Sequence, residues 1–260
     1  MSAPLTTPEP NPKAVLARAE RACFFLRMAL PGALEQLLGG ERLALLREVA
    51  LVPHDLAAVV PNARAGDDVV VLVHGFLASA GVFRPLRVRL EREAGARVAT
   101  FTHAPGVGIR RIARRLGELV ECVPPGTRIT VVGHSLGGVV ARWYVQELGG
   151  HTRVARTISL ASPFGGVDVP PLLVGADLHP QSALLRRLRE RAHVAGVPHT
   201  SIVAAEDTVV VGVKRASLGF GDVVVLPRRG HRALLFCERT AELVIDRVRT
   251  PPPIAQPLHL

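Results

Sequence analysis

The sequence predicts an α/β domain: a mostly parallel central sheet, helices on both faces, and a small cap insertion. Three observations predict it. From residue 67 onward, short apolar runs alternate with segments of helical period. The runs, of which DVVVLV at 68–73 is the clearest, barely alternate polar with apolar, as strands buried on both faces do. With 260 residues, 48% of them hydrophobic, the chain is long and apolar enough to bury one such core.

Taken in order, residues 1–66 read as a Pro-rich tail and a helical lead-in. Four prolines fall within 1–12. Val15, Ala19, Ala22, Leu26 and Leu30 then recur at helical steps until Pro31-Gly32. Further helical pieces follow at about 33–38 and 41–52. This lead-in packs on the domain or, in a sharper reading, serves as an interfacial anchor. Phe24 and Phe25 fall toward its charged side, where exposed aromatics are costly unless lipid or a partner covers them.

The domain proper is expected at 67–250. Strands are expected at 68–73, 97–102, 128–132, 154–160, 200–205 and 223–226. Helices are expected near 83–94, 109–122, 136–148 and 182–192, with a closing helix at 233–248. Between 163 and 196 the alternation breaks, which marks either a cap over a site or an ordinary connection. Residues 251–260 form a second Pro-rich tail.

The net charge is +10, from 32 basic and 22 acidic residues. Only Lys13 and Lys214 are lysines, so the excess is arginine, in keeping with the coding bias of a GC-rich genome. No basic stretch carries the interleaved aromatics of a stacking platform, so nucleic acid is not an expected partner. Neither a membrane-spanning run nor a signal peptide is apparent, and the chain reads as cytoplasmic with peripheral membrane contact through its N-terminal helix left open. Cys23, Cys122 and Cys237 have no metal or redox spacing and read as buried, reduced thiols.

The chemistry centres on Gly133-His134-Ser135-Leu136-Gly137, between the strand RITVV and a helix-forming run. A sharp strand-to-helix turn of this kind strains the serine backbone and exposes its hydroxyl at a helix N-terminus. Ser135 is therefore the expected nucleophile. A serine hydroxyl needs a base, and the base needs a carboxylate to orient it. His231, in the loop after the last strand, is the expected base. Asp207, in the loop after the strand SIVAA, is the expected acid; Glu206 is its neighbour, but adjacent side chains in an extended segment point apart. His259 lies in the C-terminal tail, whereas His151, His179, His193 and His199 precede the acid and break the Ser–acid–His order. The amides of Leu136 and Phe76 are the expected oxyanion donors. Leu77 and Phe83 are expected, beside Phe76, to wall an apolar acyl pocket.

VLVHGF at 71–76, GHSLGG at 133–138, ASPFGG at 161–166, AAEDTVV at 204–210 and GHRALL at 230–235 resemble the α/β-hydrolase superfamily. More narrowly they are similar to bacterial triacylglycerol lipases and related lipid-ester hydrolases, over roughly residues 67–248. Phe164 stands where those lipases frequently carry histidine. The resemblance implies an acyl-serine mechanism without an organic cofactor. Some relatives hold a structural calcium ion, but no ligand cluster is apparent here and no metal is expected. The expected activity is hydrolysis of carboxylic, lipid-like esters. The same three residues would serve an acyltransferase or a thioesterase. A catalytically idle, membrane-associated interaction protein is the alternative of another class.

Overall fold

In the computed structural model, residues 40–168 and 176–251 are described. The periodic segment at 13–30, Phe24, Phe25, Cys23 and His259 lie outside them. Six strands form one sheet: β1 (Asp68–Val73), β2 (Arg97–Phe101), β3 (Arg128–His134), β4 (Val154–Leu160), β5 (His199–Ala204) and β6 (Asp222–Leu226). Their order is β2-β1-β3-β4-β5-β6, and every neighbouring pair is parallel. The helices are α1 (Gly40–Leu51), α2 (Arg84–Glu93), α3 (Ile109–Glu121), α4 (Leu136–Glu147), α5 (Ala183–Glu190), α6 (Val213–Ala216) and α7 (Glu238–Arg249).

The near-continuous apolar strands follow from burial on both faces. Along β1, Val69, Val71 and Val73 point into a core shared with α3, α4 and α5. Val70 and Leu72 point into a second core with α2 and α7. The two-residue period of a strand thus feeds two helical layers from one valine run. The last strand departs from the pattern. β6 ends the sheet, and Val223 and Val225 remain exposed.

Two further expectations are corrected. The closing helix is not continuous: a 3₁₀ turn at Ala233–Phe236 buries Leu234 and Leu235, Cys237 is extended (φ −84°, ψ 127°), and only then does α7 begin. A cysteine carries no φ/ψ signature, so apolar periodicity passes over such a break. Nor are the described thiols buried. Cys122 is exposed and Cys237 half-buried. The Cys122 thiol closes the end of α3 by donating to the Glu118 carbonyl (3.3 Å), which satisfies it at the surface.

The described part of the lead-in meets the domain at several places. Val59 forms an antiparallel bridge with Thr100 on β2. Helix α1 packs against the 3₁₀ turns at Ala80–Phe83 and Ala233–Phe236. No helix among the described residues is long and apolar enough to cross a membrane.

Candidate active site

The site is built at the carboxyl ends of β1, β3, β5 and β6, where the loops of a parallel sheet converge. Ser135 links β3 directly to α4. Its backbone is held at φ 52°, ψ −120°, a region costly for any residue with a side chain. The glycines around it allow the turn. A side chain at Gly133 would overlap the backbone of Gly137 and Gly138, and one at Gly137 would overlap the Val73 carbonyl. The Ser135 amide donates to the Leu160 carbonyl (2.8 Å), which ties the strained residue to β4.

The three expected groups come together. The Ser135 hydroxyl donates to His231 Nε2 (3.0 Å), and His231 Nδ1–H donates to Asp207 Oδ2 (2.8 Å). Asp207 and His231 are buried, while Ser135 is partly exposed. Asp207 Oδ1 accepts the amides of Val209 and Val210, each at 2.8 Å, so the carboxylate is fixed by the chain that follows it. The Glu206 amide donates to the Arg229 carbonyl (2.9 Å), which holds the acid and base loops together.

The loop after β1 lies against the serine. A Cβ on Gly75 would stand 3.1 Å from Ser135 Cβ, so any side chain here would press on the serine and glycine eases the close approach. Phe76 follows it and packs on the core, and Leu136 is the first residue of α4, with its amide at the helix start beside Ser135. The two expected wall residues separate. Leu77 is exposed with φ 57°, whereas Phe83 is buried in the second core among Leu86 and Leu90.

Three further histidines surround the site. His74 Nδ1–H donates to the Gly75 carbonyl (2.7 Å), and its Nε2 accepts the His103 amide (3.0 Å). The His74 and His103 rings stack at 3.9 Å. Burial, with His103 adding to it, pushes the His74 pKa down to about 3. A neutral stacked pair therefore stiffens the loop that abuts Ser135. His134 Nε2–H donates to the His231 carbonyl (3.1 Å), and burial, reinforced by His231, pushes its pKa down to about 3. Nothing in the one-dimensional pattern marks His134 or His103 for these contacts, because their partners are 97 and 29 positions away.

Among the described residues, no group of three or more His, Cys, Asp or Glu side chains is placed to hold a metal ion. The insertion contributes α5, whose Leu184, Leu185 and Leu188 join the first core. A strained serine hydroxyl, an imidazole aligned by a fixed carboxylate, and a glycine-framed loop beside them can together carry out nucleophilic acyl transfer.

The chain is similar in fold to solved lipases and esterases. Aspergillus fumigatus lipase B superposes with a TM-score of 0.63 at 18% identity, over 78% of this chain and 58% of that one. This chain thus spans little more than half of the fungal lipase. Bacillus licheniformis lipase BlEst2 in its mature form gives 0.57 at 14% identity, over 74% and 96%. A thermophilic esterase from Thermogutta terrifontis gives 0.52 at 17%, over 75% and 99%. No curated protein sequence matches the chain. A family model does: that of palmitoyl protein thioesterase covers residues 70–206, from β1 through the serine turn to the residue before Asp207. With more than half of its length in that match, the chain belongs to the palmitoyl protein thioesterase family.

Proposed function

We propose that the protein is a serine hydrolase that cleaves carboxylic esters with an apolar acyl group through an acyl-serine intermediate. The continuous hydrogen-bonded line from Ser135 through His231 to Asp207, at 3.0 and 2.8 Å, carries this reading. His231 takes the Ser135 proton as the oxygen attacks the acyl carbonyl. The amides of Phe76 and Leu136 hold the oxyanion, and His231 then protonates the leaving group. Water repeats the sequence to release the acid. A second reading, a thioester in place of the oxygen ester, is favoured by the family match. It uses the same three residues, with a thiol as leaving group.

Ser135→Ala tests the mechanism. It should lower kcat on short p-nitrophenyl esters and on acyl thioesters by about 10⁵ to 10⁶, the scale on which an acyl-serine enzyme loses its nucleophile, while the melting temperature holds or rises. Full turnover in that variant would sink the assignment. The ratio of kcat/KM for an oxygen ester and a thioester of equal acyl length separates the two readings.

A further inference from the structure

We infer that α1 is a brace for the reacting groups and that Glu41 is a positioning residue for His231, an inference that rests on the acyl-serine reading. Glu41 stands in the first turn of α1, 191 positions before the loop it touches. Its carboxylate accepts two main-chain amides. Arg232 N–H donates to Oε1 (3.1 Å) and Oε2 (3.3 Å), and Ala233 N–H donates to Oε1 (3.0 Å). On the other side of His231, Gly230 lies flush against the same carboxylate: a Cβ there would overlap Glu41 Oε1, Cδ and Cγ. Two turns further along α1, Glu48 pairs with the Arg232 side chain at 2.7 Å. The residues on both sides of His231 are thus held by one helix face.

The far end of α1 holds the other loop. Ser79 Oγ donates to the His54 carbonyl (3.1 Å), and a side chain at Gly81 would overlap the Leu51 carbonyl. Ser79 and Gly81 follow the Gly75-Phe76 segment that abuts Ser135. Helix α1 therefore spans the base loop and the donor loop, on either side of the nucleophile.

Hydrophobic burial does not account for this docking. A surface helix ordinarily turns its apolar stripe inward. Here Leu46 and Val49 remain 57% and 60% exposed, while Glu48 and Ala44 are the buried residues. Beside Ala44, α1 presents two carboxylates to the domain, and charge-assisted bonds to main-chain amides fix a position more sharply than apolar contact does.

Three variants test the brace, each read by ester turnover and by amide hydrogen exchange over 230–233. Glu41→Ala should lower kcat tenfold or more with KM within twofold, and should speed exchange across 230–233. Glu41→Gln keeps a carbonyl oxygen that can accept both amides and should recover most of kcat. Glu41→Asp is one methylene short and should not. A Glu41→Ala protein with wild-type kcat and exchange overturns the brace, and so does Gln behaving no better than Ala or Asp. If Glu41→Ala does not fold, the contrast between Gln and Asp decides the matter. A wild-type protein that a fluorophosphonate fails to label overturns the acyl-serine reading instead; exchange at 230–233 in the variants still decides whether Glu41 holds the loop.

Discussion

At the residue scale, the fixed orientation of Asp207 has a consequence that a looser carboxylate would not. Oδ1 is committed to the amides of Val209 and Val210, so only Oδ2 faces His231. In Asp207→Asn those two amides must keep the side-chain oxygen, which turns the NH₂ toward His231 Nδ1. The imidazole then has to accept there and carry its proton on Nε2, against Ser135. A base in that tautomer cannot take the serine proton. Asp207→Asn should therefore lower kcat/KM by about 10³ to 10⁴, as tautomer inversion does in serine hydrolases generally, with little change in melting temperature. A fall of less than tenfold would argue against Asp207 as the orienting group. The order Ser135, Asp207, His231 was legible in the sequence because each lies in the turn or loop that follows a strand, where a parallel sheet gathers its loops. The lock on Asp207 was not, since backbone amides leave no trace in residue type.

At the element scale, α4 carries a charge on a face that the fold buries. Arg142 is fully buried, and burial pulls its pKa down to about 10. It donates to the carbonyls of Ala192 (2.9 Å) and Val197 (3.1 Å) and to Thr157 Oγ1 (3.2 Å). Among the described residues no carboxylate pairs with it. The guanidinium thus ties α4 to the segment that leads from the insertion into β5, the strand that delivers Asp207. Arg142→Met should cost about 2–4 kcal/mol, from two to three buried acceptors left unpaired at roughly 1–3 kcal/mol each, less the relief of a buried charge. Arg142→Lys should do no better, because one ammonium cannot span three acceptors. Urea unfolding of the two variants checks both statements. The strands were legible because apolar runs of this length have few other uses. Arg142 and the break at Cys237 were not, because both depend on what the folded chain brings near them.

At the scale of the whole molecule, the buried histidines set an acid limit. His74 and His134 have their pKa pushed down to about 3, and burial also lowers those of His103 and His199. His74 and His134 stay neutral in the fold down to about pH 3 but take up protons in the unfolded chain below about pH 6.5. Their contribution to stability is therefore intact above that pH. It falls as the pH drops toward 3, by up to about 1.4 kcal/mol per pH unit for each group. Several such groups act together, so the melting temperature should be nearly flat above pH 7 and fall steeply between pH 6 and 4. Scanning calorimetry across that range checks it; a flat profile down to pH 4 would mean that these rings are protonated in the fold. The arginine excess and the mostly parallel architecture were legible at this scale. The acid limit was not, because it depends on which of the ten histidines lose their water.

The bridge between Val59 and Thr100 acquires a further meaning beside the exposed face of β6. Val59 N–H donates to the Thr100 carbonyl (2.8 Å) and Thr100 N–H to the Val59 carbonyl (3.1 Å), which pairs Thr100 at the β2 margin of the sheet. At the opposite margin β6 has no further strand beside it among the described residues. A strand margin with free peptide groups is a template for neighbouring chains. A strand approaching the β2 margin would meet Val59 already paired at Thr100, whereas β6 offers its peptide groups among the described residues. The lead-in that braces the reacting groups thus also covers part of one margin of the sheet, and leaves the two margins unequal as templates.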